Sequence, residues 1–151
     1  MTFRKTTQND YCALADMRWI HLEDDGENLS AYNKQTFVSE FCTYLKCQID
    51  KNFYCYVAEH EGQIIGNVYL GLLSKVPKPY CSLARIGYIT NVHVLEKYRN
   101  CGIGSELMNF AKEQAKNLAC ELLYAWPSER AVPYYERLGF KADNEILECP
   151  I

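Results

Sequence analysis

The feature that most restricts the fold is a change of hydrophobic period on either side of one short turn. Arg85 to Val94 is an apolar, β-branched run that reads as a strand. After the turn Arg99-Asn100-Cys101-Gly102-Ile103-Gly104, the residues Ile103, Leu107, Phe110, Ala111, Ala115 and Leu118 fall on one side of a helix. Lys112, Glu113 and Lys116 fall largely on the other. A strand, a tight turn and a helix start in succession direct unpaired backbone N–H groups at one point, where the helix dipole also favours negative charge. Gly102 and Gly104 leave room for close approach, and Arg99 either adds a charge-assisted contact or braces the turn. Asn100 to Ser105 are therefore candidate phosphate ligands, acting mainly through backbone; a purely structural turn is the competing reading. A dinucleotide fingerprint would need glycine at position 107, where Leu107 stands, and the Gly-Lys-Ser/Thr of a P-loop is absent.

The rest of the chain supplies the frame. Thr2 to Lys5 is a short strand candidate, and Thr7-Gln8-Asn9-Asp10 has capping-box spacing for a first helix. That helix carries Tyr11, Leu14, Ala15, Trp19 and Leu22 on one stripe and ends in the polar stretch from Asp24 to Asn28; Phe37, Phe41, Leu45 and Ile49 mark a second. Phe53 to Glu59 and Gln63 to Leu73 read as a hairpin about His60-Glu61-Gly62, with Ile64, Val68, Leu70 and Leu72 expected on one face. Pro77 and Pro79 mark a loop before the Arg85 strand. After the long helix, which should end near Ala119, follow a strand over Glu121–Ala125 and a short helix over Ala131–Leu138 stopped by Gly139. A terminal strand is expected over Glu145–Cys149. The order predicts an α/β (α+β) fold with a mixed, mostly antiparallel central sheet flanked by helices, and the hairpin excludes a purely parallel sheet.

Composition narrows the partners. A length of 151 residues predicts one domain over 1–151, and 16 Lys and Arg against 19 Asp and Glu give a formal charge of -3, no field for a nucleic-acid backbone. No apolar run reaches the roughly 18 residues of a membrane span, and the start lacks a signal-peptide core, so a cytoplasmic location is expected. The eight cysteines include no CxxC pair, so no metal is expected and the thiols read as small, reduced, mostly apolar residues.

The turn resembles the signature of the GNAT superfamily of N-acetyltransferases, Arg/Gln-x-x-Gly-x-Gly/Ala between a strand and a helix. A second segment, Ser128-Glu129-Arg130-Ala131-Val132-Pro133-Tyr134-Tyr135-Glu136-Arg137-Leu138-Gly139-Phe140, is similar to that family's Asn-x-x-Ala-x-x-x-Tyr-Glu-x-x-Gly-Phe. The N-terminal half agrees in layout and not in residues.

The resemblance implies a fold whose central strands splay apart and an enzyme moving an acetyl group from acetyl-CoA to a primary amine by direct attack, through a tetrahedral intermediate. It implies that Val92, His93 and Val94 hold the pantetheine arm through backbone, and that Arg99, Asn100, Cys101, Gly102, Ile103, Gly104 and Ser105 hold the pyrophosphate. Ser128 stands where relatives place a cofactor-binding asparagine. Tyr135, the motif tyrosine, is implied as the acid for the departing sulfur and as a cofactor contact; its other reading is a packing aromatic. Thr90 and Asn91 stand where many relatives carry Glu or Asp, which leaves the base open among His93, His21, Glu23, Glu27, Glu129 and a water chain. Regular alternation would put His93 on the face opposite Thr90 and Val92. Trp126 and Tyr134 are expected next to the acceptor site, where they either stack on the substrate or pack in the core, and Cys101 is a candidate oxidation sensor. The alternative function is a non-catalytic acyl-CoA-binding or regulatory module. Homodimers, common in the family, are also implied; the acceptor is left open between a small-molecule and a protein amine.

Overall fold

The computed structural model describes residues 1–142 and 149, so the strand expected over Glu145–Cys149 lies outside the described residues. β1 (Thr2–Lys5) is followed by a 3-10 turn and α1 (Tyr11–Asp24), then α2 (Lys34–Gln48) and the strands β2 (Phe53–His60), β3 (Gln63–Ser74) and β4 (Arg85–Val94). α3 (Ile103–Asn117), β5 (Cys120–Ala125) and α4 (Val132–Arg137) complete the described elements. The spatial order is β1-β2-β3-β4-β5. The first three pairings are antiparallel and only β4–β5 is parallel, as expected for a mixed sheet in which α3 makes the crossover.

Local chemistry accounts for the main boundaries. The Asp10 carboxylate accepts from the Thr7 N–H at 2.6 Å, so the capping-box spacing does open the first helical segment, although as a 3-10 turn that becomes α1 at Tyr11. Glu61 (φ 51°) and Gly62 (φ 76°) give the β2–β3 hairpin a two-residue turn with both φ positive, the twist that antiparallel strands favour.

Each face of the sheet has its own core. Ile65, Val68, Leu70 and Ile89 bury against Leu107, Met108 and Ala111 of α3. On the opposite face Cys55, Val57 and Tyr69 bury against Tyr11, Leu14 and Met17 of α1 and Leu45 of α2. Each large apolar side chain so buried contributes about 1.5–3 kcal/mol. Ile64 departs from expectation: it joins the α1–α2 core, while Val68, Leu70 and Leu72 face α3. A register shift opposite Ala58 and Glu59 inserts one residue in β3, and one inserted residue exchanges the faces of everything beyond it.

A second shift shapes the centre of the molecule. Tyr69 pairs with Thr90 and Asn67 with His93, so Asn91 and Val92 together oppose Val68. Asn91 takes φ 49°, a left-handed conformation that a bulge accommodates and a regular strand does not. Pairing of β4 with β5 runs only from Arg85↔Cys120 to Ile89↔Ala125, so Thr90 to Val94 pair with β3 alone and a gap opens on their other side. The splayed strands are thus present. Among the described residues, no helix is long and apolar enough to cross a membrane.

Candidate active site

The gap and the glycine turn lie at the same end of β4. The Leu95 N–H bonds to Ile65 O on β3 at 2.9 Å, so by strand alternation the backbone groups of Val94 and Val92 face away from β3, into the gap. Their side chains pack toward α3. His93 does neither: its backbone faces β3 and its side chain turns to α1, so the structure separates it from its two neighbours. The Val94 carbonyl already accepts from Arg99 Nε at 2.8 Å.

Arg99 braces the turn. Besides the Val94 carbonyl, its guanidinium donates to Asp24 at the end of α1, tying the start of the turn to both neighbours. Asn100 (φ 62°) and Gly102 (φ 80°) then reverse the chain, and Ile103 anchors the helix start in the core at 5% exposure. Ser105 and Glu106 donate to the Gly102 carbonyl, whereas the N–H groups of Asn100, Cys101, Gly102, Ile103 and Gly104 have no acceptor among the described residues. A Cβ at Gly102 would meet nothing within 4 Å, so the turn is open on that side. Five unpaired donors beside a helix N-terminus fit an anion such as a pyrophosphate. The Cys101 thiol bends back toward the Arg99 carbonyl, 3.5 Å away.

The bulge is held by polar groups from both sides. Asn67, 1% exposed, donates through Nδ2 to the Asn91 carbonyl at 2.6 Å. The Asn91 side-chain oxygen lies 2.9 Å from Arg18 Nη1 and 2.8 Å from His21 Nδ1. Arginine can only donate, so Asn91 must present its oxygen there, and His21 Nδ1, sharing that oxygen, must carry its proton. The lone pair of a neutral His21 is therefore on Nε2, with Asp25 Oδ2 3.3 Å away and ready to hold a protonated ring. Burial keeps the His21 pKa below its usual value, against the opposite pull of Asn91 and Asp25.

The inserted residue also corrects the placing of His93. Because Tyr69 and Asn67 lie two apart on β3, their partners Thr90 and His93 share a face, with Asn91 beside them. His93 is opposite Val92, as expected, but not opposite Thr90. It is buried, stacked on His21 with ring centres 4.6 Å apart, and its Nε2 lies 3.0 Å from Asp24 Oδ2. Its Nδ1 is buried without a partner. Burial holds His93 below its ordinary value, and its hydrogen bond, followed by that from Arg99, holds Asp24 below the usual carboxylate range.

The second motif segment reaches the turn through Tyr134. This residue donates to the Gly104 carbonyl at 2.8 Å, locking α4 to the start of α3. Tyr135 packs edge-on between Tyr134 and Phe140, at 5.3 and 5.2 Å, and burial pushes its pKa up to about 12. It is a protonated donor at neutral pH. Ser128 is exposed, and its carbonyl accepts from Ala131 at 2.8 Å. Trp126 is 57% exposed and packs edge-on against Tyr88 and Tyr124, while Glu27 and Glu129 lie on the surface. Glu23 accepts from Trp19 Nε1 at 2.8 Å.

Two contributors escaped the sequence reading, Asn67 and Arg18. Asn67 is the one amide within the apolar run from Ile64 to Leu73, and Arg18, His21 and Asp25 share a helix face by spacing; both signals were available.

Known proteins agree with this architecture. A glucosamine 6-phosphate N-acetyltransferase of Trypanosoma brucei brucei is 31% identical over 90 residues, which are 60% of this chain and 59% of that enzyme. A solved structure of a predicted acetyltransferase with acetyl-CoA from Clostridium acetobutylicum superposes with a TM-score of 0.80 at 23% identity, covering 99% of this chain and 95% of that one. Glucosamine-6-phosphate N-acetyltransferase from Arabidopsis thaliana superposes with a TM-score of 0.69 at 18% identity, covering 99% and 97%. The model of the acetyltransferase (GNAT) family matches residues 14–140, and the chain belongs to that family.

Proposed function

We propose that the protein transfers an acetyl group from acetyl-CoA to a primary amine. The observation that carries this reading is the continuity of the β4–β5 gap with the five unpaired N–H groups of the glycine turn. An extended, amide-bearing arm ending in a pyrophosphate matches both parts, the first as an added strand and the second as an anion at a helix N-terminus. When bound, acetyl-CoA supplies a thioester whose acetyl group a neutral amine attacks directly.

The chain's own residues divide the work. Asn100 to Gly104 bind the pyrophosphate through backbone, while Arg99 keeps the turn in register with β4. Val92 and Val94 offer backbone groups to the arm, and the Val92 N–H, just past the bulge, is the donor for oxygen charge developing at the acetyl carbonyl. His21 Nε2 accepts the amine proton, with Asp25 stabilising the resulting imidazolium. Tyr135 donates to the departing sulfur, and Ser128 adds a hydroxyl donor at the mouth.

The test is an acetyl-CoA titration by calorimetry, followed by a thiol-release assay over a panel of primary amines. The expected result is saturable binding and turnover on at least one amine. Binding without turnover across the panel would favour an acyl-CoA-binding module. No binding would overturn the reading of the gap and turn together.

A further inference from the structure

Resting on the transfer reading, we infer that the acceptor is a compact primary amine that also carries an anionic group, a carboxylate or a phosphate, and that Arg18 binds this group. A cavity of about 240 Å³ lies between α1, α2 and the β3–β4 pair, lined by Arg18, Phe41, Tyr44, Phe53, Thr90 and Asn91, with Tyr69 behind them. It abuts the bulge, with Thr90 and Asn91 in its wall.

Its walls are aromatic in sequence. Phe41 lies 5.9 Å from Tyr44, Tyr44 6.0 Å from Phe53, and Phe53 5.5 Å from Tyr69, measured between ring centres. Such a row takes an apolar or ring-faced body, and within it Arg18 is the one charged side chain.

Arg18 forms no ion pair among the described residues. Its Nη1 donates to Asn91, and its Nε and Nη2 have no acceptor among the described residues. The acids of its own helix and cap are committed elsewhere. Asp16 pairs with Lys34 at 3.0 Å, Glu23 takes the Trp19 indole, Asp24 serves His93 and Arg99, and Asp25 pairs with Arg130 and His21. A guanidinium with free donors in an aromatic recess is a fork for a planar or tetrahedral oxyanion.

The geometry also limits the ligand's size. Arg18 Nη1 and His21 Nδ1 bind the same oxygen of Asn91, so these two atoms are no farther apart than two hydrogen bonds end to end, and the Arg18 fork and His21 Nε2 lie beyond them by the width of one side-chain group each. The anionic group and the reacting amine therefore fit on one small molecule that spans from Arg18 to His21.

Two matched pairs separate the sources of the anion: glucosamine 6-phosphate against glucosamine, and phenylalanine against 2-phenylethylamine. Each is assayed for acetyl transfer and titrated by calorimetry into the CoA-bound protein, in wild type, Arg18→Ala and Arg18→Lys. The anionic member of at least one pair should show a KM and Kd roughly ten- to a hundredfold lower than its neutral partner, the range of a charge-assisted contact. Arg18→Ala should erase that preference, read as the ratio between the two members of a pair in the same protein so that any loss shared by both through Asn91 cancels, and Arg18→Lys should restore part of it. A structural role alone would weaken both members equally, leave their ratio as in wild type and overturn the inference. So would equal affinity within both pairs, a preference that survives Arg18→Ala, or no binding by any of the four. Turnover of neutral amines without preference would retain acetyl transfer and sink the anion site. Anion-selective binding that Arg18→Ala abolishes, without turnover, would do the reverse.

Discussion

Replacing Asn67 tests whether the bulge in β4 is held by one buried hydrogen bond. Asn67 donates to the Asn91 carbonyl at 2.6 Å from a position 1% exposed, so water cannot substitute for a lost donor. Asn67→Leu keeps the volume and removes the donor, leaving a buried carbonyl unsatisfied at a cost of about 1–3 kcal/mol. For a chain of this length that lowers Tm by about 2–12 °C. Asn67→Asp keeps the shape but sets a carboxylate against the carbonyl, which should destabilise further at neutral pH. Burial and the facing oxygen raise the folded-state pKa of that aspartate above its unfolded value of about 3.9. Between those two values the folded state binds more protons than the unfolded state, so stability falls as pH rises through the window and recovers in acid. Thermal melts from pH 4 to 8, with acetyl-CoA titrations on the same samples, give the readout. An Asn67→Asp protein melting with wild type at pH 8 would refute the hydrogen-bond argument. Loss of stability in Asn67→Leu with unchanged acetyl-CoA affinity and turnover would refute the link between bulge and site.

Gly102→Val places a β-branched residue at φ 80° and so strains the turn that aims the N–H groups; calorimetry should show acetyl-CoA affinity falling at least about tenfold, with strain of about 1–2 kcal/mol in the melt. Tyr135→Phe should lower kcat by about 10²-fold or more with little change in acetyl-CoA affinity, and an unchanged rate would remove the phenol from acid catalysis. For His21, burial lowers the pKa, so the active neutral form persists below the usual histidine value and kcat/KM should fall only as pH drops through that lowered value. His21→Gln should remove this acid limb along with most of the rate, and a limb that survived the substitution would assign it to another group.

The parts of the molecule that were legible in the sequence are those where independent signals coincide. The strand, the glycine turn and α3 are each marked by a different period or residue type, and a shift of one or two residues at their ends does not disturb the arrangement. Tyr134 and Tyr135 show the limit of a motif. Adjacent on a short helix, they point about a quarter-turn apart, and only packing decides that Tyr134 reaches the Gly104 carbonyl while Tyr135 packs edge-on against Phe140. Arg18, His21 and Asp25 looked like an ordinary solvated face, because nothing in their spacing says that this face turns toward β4.

The misreadings of Ile64 and of His93 have one cause. Both followed a strict two-residue period across a strand containing an inserted residue, and each insertion exchanges faces from that point onward. In β3 the consequence is modest, because apolar cores lie on both sides and Ile64 is buried on either. In β4 it rearranges the chemistry: Thr90, Asn91 and His93 come to one face, where α1 meets them with Arg18, His21 and Asp24. Without the insertion Asn91 would point toward α3, and its oxygen could not join Arg18 to His21. The same insertion displaces Val92 relative to β3 just where pairing with β5 has ended. One residue with φ 49° thus positions the backbone of the gap and the polar cluster behind it, and it costs about 1–2 kcal/mol of left-handed strain. Three hydrogen bonds on that residue, from Asn67, Arg18 and His21, offset the strain. On the proposed mechanism, the absence of a carboxylate at Thr90 and Asn91 is met by a division of labour, with the amide orienting an imidazole supplied by α1.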